Sequence, residues 1–364
     1  MIRQNILVAG AGKIGTLIAV LLAQTQEYQV HLIDIIPQSS NLNDKDKLPY
    51  TLKQDVVDVN DEAALTAYVQ KNQINSVISC LPYFCNEAIA NLASKNKLHY
   101  FDLTEDTAVF DAIKKLSQNA STAFVPQCGV APGFINIVTS DLIKRFAPAK
   151  AAYMRVGALP AYPHNALKYA LTWSTDGLIN EYGNPCYAIK EGKQVTVNPL
   201  EDLETISVDG VEYEAFNTSG GVGNLTNAFE NKIQTMNYKT LRYPGHCEKM
   251  RLLMNDLQLN KDRQNLKHIL EEALPRTNQD VVIIYVAVEG MQHGEYLEET
   301  FVKKIYPKTI AKAQWSAIQV ATATSACAVI DLVLQAPVIP KGLVTQESIA
   351  LDAFLQNRFG QYYF

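Results

Sequence analysis

Three glycines near the amino terminus are spaced as a phosphate-binding turn would space them. Gly10, Gly12 and Gly15 form G-A-G-K-I-G directly after a short apolar run. In a strand-to-helix turn, the first glycine permits the tight bend, the second lets the backbone approach a pyrophosphate, and the third lets helix and strand pack closely. The free N–H groups of the helix start, at Lys13 and Ile14, add positive partial charge. The pattern favours a dinucleotide site; the alternative is a tight turn that binds nothing.

An acidic residue lies where a dinucleotide would place its adenosine ribose. Asp34 ends the second apolar run, about 20 residues after the last glycine, and a carboxylate there accepts hydrogen bonds from ribose hydroxyls. It would repel a 2′-phosphate, and neither Ile35 nor Ile36 offers the arginine that NADP favours. We therefore expect NAD as the cofactor, with NADP as the less favoured choice. The alternative for Asp34 is a solvated carboxylate at a strand end.

Two further segments follow predicted strands and are expected at the same edge of the sheet. Ligands of open α/β sheets bind beyond the carboxyl ends of the strands. Cys80, Leu81 and Pro82 follow one strand, and Gly129 and Val130 follow another. We expect both segments to contact the nicotinamide part of the cofactor. Either could instead be an ordinary sharp turn.

The elements that would position these residues alternate between short apolar runs and longer amphipathic ones. This pattern is typical of βαβ units with a parallel sheet. The predicted strands cover residues 5–9, 29–33, 76–80, 99–102 and 122–126. The predicted helices cover residues 13–25, 61–71, 85–95, 107–118 and 132–145. The first part of the chain is therefore predicted to be a Rossmann-type, doubly wound α/β domain.

After residue 148 the runs become shorter and richer in Val, Ile, Tyr and Thr, which favours a mixed sheet. Predicted strands cover residues 151–156, 205–208, 238–243, 281–288 and 296–303, and predicted helices cover 247–257, 262–274 and 312–334. The second part is thus predicted to be an α+β domain. The domains are expected at 1–130 and 131–311, with residues 312–364 forming helices that return to the Rossmann domain.

Composition limits the possible partners. The chain has 364 residues, a net charge of -5 and 19% charged residues, so it lacks the basic surface that nucleic acid or an anionic membrane would need. Its longest charge-free stretch, residues 313–330, carries several polar side chains and is predicted to be a buried helix rather than a membrane span. Six scattered cysteines without a CxxC pair favour reduced thiols and a cytoplasmic location. The six histidines show no spacing typical of a metal site, so no metal is expected.

Motifs in both halves resemble one known family. In the first half these are the glycine loop, S-C-L-P-Y-F-C-N-E (79–87), F-D-L (101–103) and G-V-A-P-G-F-I-N-I (129–137), which resemble the saccharopine dehydrogenase (saccharopine reductase-like) family. In the second half, N-T-S-G-G (217–221) and Y-K-T-L-R-Y-P-G-H-C-E-K (238–249) are most similar to its lysine 6-dehydrogenase branch. The resemblance covers essentially the whole chain. It implies a Rossmann domain with an inserted α+β catalytic and dimerisation domain. It also implies a homodimer that oxidises a carbon–nitrogen bond of an amino acid with NAD or NADP.

Oxidation of an amine by hydride transfer requires a neutral amine and stabilisation of the developing iminium. Asp102, at a predicted strand end, could pair with the amine, and Tyr83 could hydrogen-bond the amine or a water. His246 is a candidate proton carrier or second contact to a substrate carboxylate. The structural alternatives are a helix cap or salt bridge for Asp102, a core position for Tyr83 and a purely structural role for His246.

Other residues are candidates for holding the substrate. Arg242 could bind an α-carboxylate bidentately, or serve as a structural ion-pair partner. Thr218, Ser219 and Gly220 could form an anion-binding loop, or merely a turn. Trp173 could line the pocket, or belong to the core.

The resemblance to the lysine 6-dehydrogenase branch implies NAD-dependent oxidative deamination of the L-lysine ε-amine to 2-aminoadipate 6-semialdehyde. The enzymatic alternatives are a glutamate-forming saccharopine dehydrogenase, which would want more arginines for two further carboxylates, and a carboxyspermidine-type dehydrogenase. The non-enzymatic alternative is an NAD-binding regulatory protein.

Overall fold

The structure is a computed structural model that describes residues 4–36 and 52–364. The chain folds into two units. One comprises Met1–Phe134 with Gln319–Tyr362, and the other comprises Ile135–Ile318 with the last two residues. The predicted domain boundaries lie at 130/131 and 311/312.

Strands and helices alternate up to residue 125. In chain order they are β1 (Gln4–Ala9), α1 (Lys13–Gln24), β2 (Tyr28–Asp34), β3 (Leu52–Val56), α2 (Glu62–Lys71), β4 (Ser76–Ser79), α3 (Asn86–Asn96), β5 (His99–Asp102), α4 (Thr107–Ser117) and β6 (Ala123–Val125).

Strands dominate the next part of the chain, which ends in helices. Its elements are α5 (Phe134–Lys144), β7 (Ala149–Pro160), α6 (Thr175–Gly183), β8 (Cys186–Lys190), β9 (Lys193–Val197), β10 (Glu204–Val208), β11 (Val211–Asn217), α7 (Leu225–Phe229), β12 (Thr235–Arg242), α8 (His246–Arg251), α9 (Arg263–Ala273), β13 (Asp280–Gln292), β14 (Glu295–Ile305), β15 (Lys308–Ile310), β16 (Ala313–Trp315), α10 (Ala317–Leu334), β17 (Gly342–Leu343) and α11 (Leu351–Gln356).

The first unit contains a seven-stranded sheet in the order β17-β6-β5-β4-β1-β2-β3, with parallel pairing throughout. The strand order reverses between β1 and β4, which is where doubly wound sheets bind dinucleotides. The central strand β1 is apolar and buried, with Ile6, Leu7 and Val8 completely inaccessible, as parallel strands covered on both faces are. The edge strand β3 was not predicted, because its sequence L-K-Q-D-V is largely polar and exposed.

The second unit contains a mixed sheet, since β12 and β7 pair in parallel while β10, β11, β13 and β14 pair antiparallel with their neighbours. Helices α6, α8 and α9 contribute Leu178, Met250 and Leu266 to one apolar cluster. The predicted fold class, a Rossmann domain with an inserted mixed-sheet α+β domain, is confirmed. Helix α6 and strands β8, β9 and β11 were not predicted.

Helix α10 starts later than predicted because residues 313–315 form β16 and pair with β15. By length and composition alone, this is the one helix among the described residues that could cross a membrane. In the structure 83% of that stretch is buried inside the protein, which agrees with the prediction of a buried helix.

Candidate functional site

The glycine loop joins β1 to α1 and lies against the end of β4. Gly10 has φ +101, and a Cβ there would be 2.9 Å from the Cys80 carbonyl oxygen. A Cβ at Gly15 would overlap the Gly10 carbonyl oxygen. Backbone conformation and close packing therefore require glycine at these two positions, regardless of any ligand.

Gly12 differs from its two neighbours in the loop. Its φ of -63° suits any residue, and a Cβ there would meet no atom of the described residues within 4 Å. The protein itself therefore does not require glycine at this position, and open space lies where a side chain would project. Helix α1 also has no side-chain cap and no acidic residue in its first turn. Open space beside the free N–H groups of Lys13 and Ile14 fits the pyrophosphate of a dinucleotide.

Asp34 orders the glycine loop. Its Oδ2 accepts a hydrogen bond from Ala11 N at 2.7 Å, and its Oδ1 accepts one from Ile36 N at 3.2 Å. The side chain is half-buried. Because a carboxylate can accept about four hydrogen bonds, Asp34 retains acceptor capacity for ribose hydroxyls.

The segment after β4 lies beside this loop. Cys80 N donates to the Ala9 carbonyl oxygen at 2.8 Å, and Cys80 and Leu81 supply the nearest atoms to the Gly10 position. Cys80 and Leu81 are half-buried and Pro82 is exposed. The structure thus brings this predicted segment to the glycine loop, while its contact with a cofactor stays a prediction.

The segment after β6 is an interior turn. The Gly129 carbonyl oxygen accepts hydrogen bonds from Phe134 N at 2.9 Å and from Ser325 Oγ at 2.8 Å, and Val130 is 5% exposed. Gly133 has φ +139 and lies so close to Gly129 that a Cβ would collide with it. The predicted contact of Gly129 and Val130 with a nicotinamide ring stays a prediction.

Asp102 ends β5 as predicted, but it is completely buried. Its carboxylate accepts hydrogen bonds from Tyr100 Oη at 2.7 Å, Thr104 N at 3.0 Å and Gln127 N at 2.8 Å. Burial raises the pKa of Asp102 to about 6, and the three hydrogen bonds limit the rise. The carboxylate thereby ties together the turns that follow β5 and β6. A catalytic role for it stays a prediction.

Tyr83 is the more accessible of the catalytic candidates in the first unit. It begins a short 3-10 turn after Pro82, is half-buried, and contacts Phe84 edge to face at 5.6 Å. The described residues offer its hydroxyl no hydrogen bond, so the hydroxyl is available to a ligand or a water.

Arg242 and His246 are joined through a tyrosine in the second unit. Arg242 Nε donates to Tyr182 Oη at 2.7 Å, and Tyr182 Oη lies 3.0 Å from His246 Nε2. His246 Nδ1 lies 2.8 Å from the Leu167 carbonyl oxygen, so Nδ1 carries the proton and Nε2 accepts from the tyrosine. The result is one continuous hydrogen-bonded chain.

His246, the candidate proton carrier, lies in the interior of the second unit, and its role as a proton carrier stays a prediction. It is 1% exposed, and burial together with the charge of Arg242 lowers its pKa to about 3. It is therefore neutral near neutral pH. Glu214 positions it by accepting from Gly245 N at 2.8 Å and Cys247 N at 2.5 Å at the start of α8.

Arg242 has the structural role that the sequence left open as the alternative. It is 2% exposed, its Nη1 donates to the Leu241 carbonyl oxygen at 2.8 Å, and its Nη2 lies 3.4 Å from Glu181 Oε2. The guanidinium also faces the Tyr169 ring at 5.0 Å. A bidentate grip on a substrate carboxylate would require these contacts to rearrange.

Glu181 is not among the predicted site residues, because it lies in α6, a helix that the sequence pattern did not indicate. The backbone connects it to a predicted segment, since Ser219 N donates to the Glu181 carbonyl oxygen at 2.9 Å. Thr218 is 3% exposed and its Oγ1 is buried without a hydrogen-bond partner, while Gly220 has φ +88 in the same buried loop. Polar groups of the loop and of α6 therefore lie together.

Trp173 packs at the edge of the second unit's core, which is the structural alternative that the sequence left open for it. It is partly buried against the apolar cluster, and its Nε1 donates to Tyr169 Oη at 3.1 Å. Within residues 4–36 and 52–364, no group of three or more His, Cys, Asp or Glu side chains could hold a metal ion.

Two family models match the chain in sequence order. One, described as the saccharopine dehydrogenase NADP binding domain, covers residues 6–126, and the other, the saccharopine dehydrogenase C-terminal domain, covers residues 129–359.

Curated relatives match at low identity. Mitochondrial alpha-aminoadipic semialdehyde synthase of Mus musculus is 22% identical over 321 residues, which is 83% of this chain and 33% of the relative. Saccharopine dehydrogenase [NADP(+), L-glutamate-forming] of Pyricularia oryzae is 25% identical over 230 residues, which is 60% of this chain and 50% of the relative. The chain thus spans a third to a half of the length that these two relatives have.

Solved structures share the fold. Apo saccharopine dehydrogenase (L-Glu forming) of Saccharomyces cerevisiae has a TM-score of 0.76 at 16% identity, covering 96% of this chain and 95% of that one. Homospermidine synthase of Legionella pneumophila, in complex with NAD, has a TM-score of 0.68 at 12% identity, covering 100% of this chain and 90% of that one.

Proposed function

The chain belongs to the saccharopine dehydrogenase family, and we propose that it oxidises a carbon–nitrogen bond of an amino acid with a pyridine nucleotide. The observation that carries this proposal is the open space at Gly12, beside an uncapped helix start and at the switch point of a parallel sheet. Gly12, Lys13 and Ile14 would hold the pyrophosphate, and Asp34 would hold the ribose. The nucleotide, when bound, accepts or supplies the hydride.

We propose L-lysine as the substrate, with its ε-amine as the oxidised group. A substrate with several carboxylates would need several arginines that are inside the second unit and not already paired. The support for L-lysine is that such arginines are scarce there. Arg242 belongs to the bonded cluster formed by Glu181, Tyr182, Arg242 and His246. The other arginines from β7 to β13 are either paired with other residues or exposed at the surface. Arg155 pairs with Glu204, Arg263 bonds to Asn180 and Asn260, and Arg251 and Arg276 are exposed.

The second candidate is glutamate-forming oxidation of saccharopine. The names of the curated relatives favour it, since several are saccharopine dehydrogenases of this type. This candidate requires cationic side chains for two further carboxylates. Lysines, or a rearranged Arg242, would have to supply them.

We propose NAD rather than NADP as the preferred cofactor. The negative charge of Asp34 at the ribose position opposes a 2′-phosphate, and its neighbours Ile35 and Ile36 provide no cation. The matching family model and the Pyricularia relative carry NADP in their descriptions, so the alternative has support of its own.

One assay separates these possibilities. Formation of reduced nucleotide is measured with L-lysine or saccharopine, each with NAD⁺ and with NADP⁺, between about pH 7 and about pH 10. Turnover of L-lysine with NAD⁺ is the expected result. Turnover of saccharopine alone would overturn the lysine assignment. Tight nucleotide binding without turnover of either amine would favour a regulatory protein instead.

Assembly as a homodimer and a cytoplasmic location stay predictions. Sedimentation velocity on the purified chain checks the first, and localisation of the tagged protein checks the second.

A further inference from the structure

Glu181, on α6, has a buried carboxylate with few hydrogen bonds. Its side chain is 12% exposed, and its single polar contact among the described residues is Arg242 Nη2 at 3.4 Å. Arg242 itself makes shorter bonds to Tyr182 and to the Leu241 carbonyl oxygen. The Glu181 carboxylate therefore retains most of its acceptor capacity.

A buried hydroxyl without a partner lies on the adjoining loop. Thr218 Oγ1 is buried without a partner, and the next residue, Ser219, bonds to the Glu181 backbone at 2.9 Å. A buried polar atom without a partner is uncommon, because it costs about 1–3 kcal/mol. This hydroxyl and the weakly bonded Glu181 carboxylate lie on segments joined by that backbone bond, and they indicate a site for a ligand that donates hydrogen bonds.

The carboxylate and the hydroxyl determine which kind of ligand group the site would bind. A carboxylate accepts hydrogen bonds only, and a threonine hydroxyl can accept as well as donate. A substrate ammonium carries three donors and a positive charge that complements Glu181. A substrate carboxylate would instead be repelled by Glu181.

We propose that Glu181 binds the substrate ammonium group and removes a proton from it, with Thr218 Oγ1 accepting a second hydrogen bond. This inference rests on the proposed function. In the step, an N–H bond of the ammonium breaks and an O–H bond forms on Glu181. The amine gains the free electron pair that it needs before hydride can leave the adjacent carbon, and no oxidant is consumed in the proton transfer.

The surroundings leave Glu181 as the group in this cluster that exchanges a proton near neutrality. Arg242 is the charged group that acts on Glu181, and Glu181 in turn acts on Tyr169, Tyr182, Cys186 and Tyr238. Burial raises the pKa of each of the three tyrosines and of the cysteine thiol, so they stay neutral, and Arg242 stays cationic. Burial also raises the pKa of Glu181 to about 7, against the opposing effect of Arg242.

The experiment compares Glu181→Gln and Thr218→Val with a matched control, Glu204→Gln. Glu204 also pairs with a buried arginine of the second unit, Arg155, but it lies outside this cluster. For whichever of L-lysine and saccharopine the parent protein oxidises, kcat/KM is measured from about pH 6 to about pH 10.

Glu181→Gln is expected to lower kcat/KM about 100-fold and to remove the pH dependence centred near 7. Thr218→Val is expected to raise KM more than it lowers kcat. Glu204→Gln should stay within about twofold of the parent. A Glu181→Gln protein that keeps the parent's pH profile and rate would overturn the proposal.

If the proposed function fails, the parent protein oxidises neither L-lysine nor saccharopine. Calorimetric titration with each of the two compounds then tests the ammonium site independently of turnover. Binding that Glu181→Gln abolishes and Glu204→Gln retains supports the ammonium site, and absence of binding to the parent protein overturns it.

Discussion

Replacing Gly12 by alanine should separate nucleotide binding from folding. Within the part of the chain that the structure describes, the added Cβ meets no atom within 4 Å, and the backbone φ of -63° suits alanine. Alanine reduces the entropy of the unfolded chain, which stabilises by about 0.4–1 kcal/mol, but it is a poorer helix N-cap than glycine by a similar amount. The free energy of unfolding should therefore change by less than about 1 kcal/mol.

The same methyl group occupies the space proposed for the pyrophosphate. We expect the dissociation constants for NAD⁺ and NADP⁺ to rise at least about tenfold, equivalent to about 1.4 kcal/mol. Gly15→Ala provides the contrast. Its Cβ would come much closer than 3.0 Å to the Gly10 carbonyl oxygen, so the backbone must shift at a cost of about 1–3 kcal/mol or more.

Denaturant unfolding of the nucleotide-free proteins and calorimetric titration with each nucleotide measure the two effects. Gly12→Ala should unfold like the parent protein and bind nucleotide weakly, whereas Gly15→Ala should be impaired in both. If Gly12→Ala binds both nucleotides as tightly as the parent, the space at Gly12 does not receive the pyrophosphate and the reasoning fails.

Three further predictions follow from the hydrogen bonds described above. Asp34→Asn keeps an acceptor for Ala11 N but removes the charge, so titrations should show the affinity for NADP⁺ relative to NAD⁺ rising at least about tenfold; an unchanged ratio would contradict the ribose assignment. Because burial raises the pKa of Asp102 to about 6, the folded state retains a proton that the unfolded state releases, and stability should fall as pH rises from about 4 to about 6. In unfolding experiments Asp102→Asn should remove that pH dependence and raise the free energy of unfolding by up to about 3 kcal/mol at neutral pH. A variant with the same pH dependence as the parent would argue against a raised pKa of Asp102. Tyr182→Phe leaves Arg242 Nε and His246 Nε2 without their shared partner, so urea unfolding should show that the free energy of unfolding falls by about 1–3 kcal/mol. An unchanged free energy of unfolding would show that the hydrogen bonds of Tyr182 do not stabilise the fold.

Local features of the first unit were predictable because backbone geometry follows from neighbouring residues. The spacing of Gly10, Gly12 and Gly15 requires a tight turn between strand and helix, and apolar periodicity marked β1, β2, β4 and β5 to within one residue at each end. The exposed edge strand β3 and helix α6 were missed, since β3 is largely polar and α6 lies in a region where no helical period was recognised.

The roles of the polar residues depended on contacts that no local pattern carries. Asp102 was predicted at a strand end, yet only the folded chain brings Gln127 N to its carboxylate. His246 binds Leu167, and Arg242 binds Tyr182, across 79 and 60 residues of sequence. Burial and those distant partners set the pKa and accessibility of each group.

The sequence by itself therefore determined the family resemblance, the fold class and the glycine loop, because short-range sterics and hydrophobic periodicity govern them. Only the tertiary structure decided that His246 is neutral and Arg242 paired, and that Glu181 is a buried, underbonded carboxylate. The physical reason is that desolvation and hydrogen bonding are properties of the space around a side chain, and residues distant in the sequence fill that space.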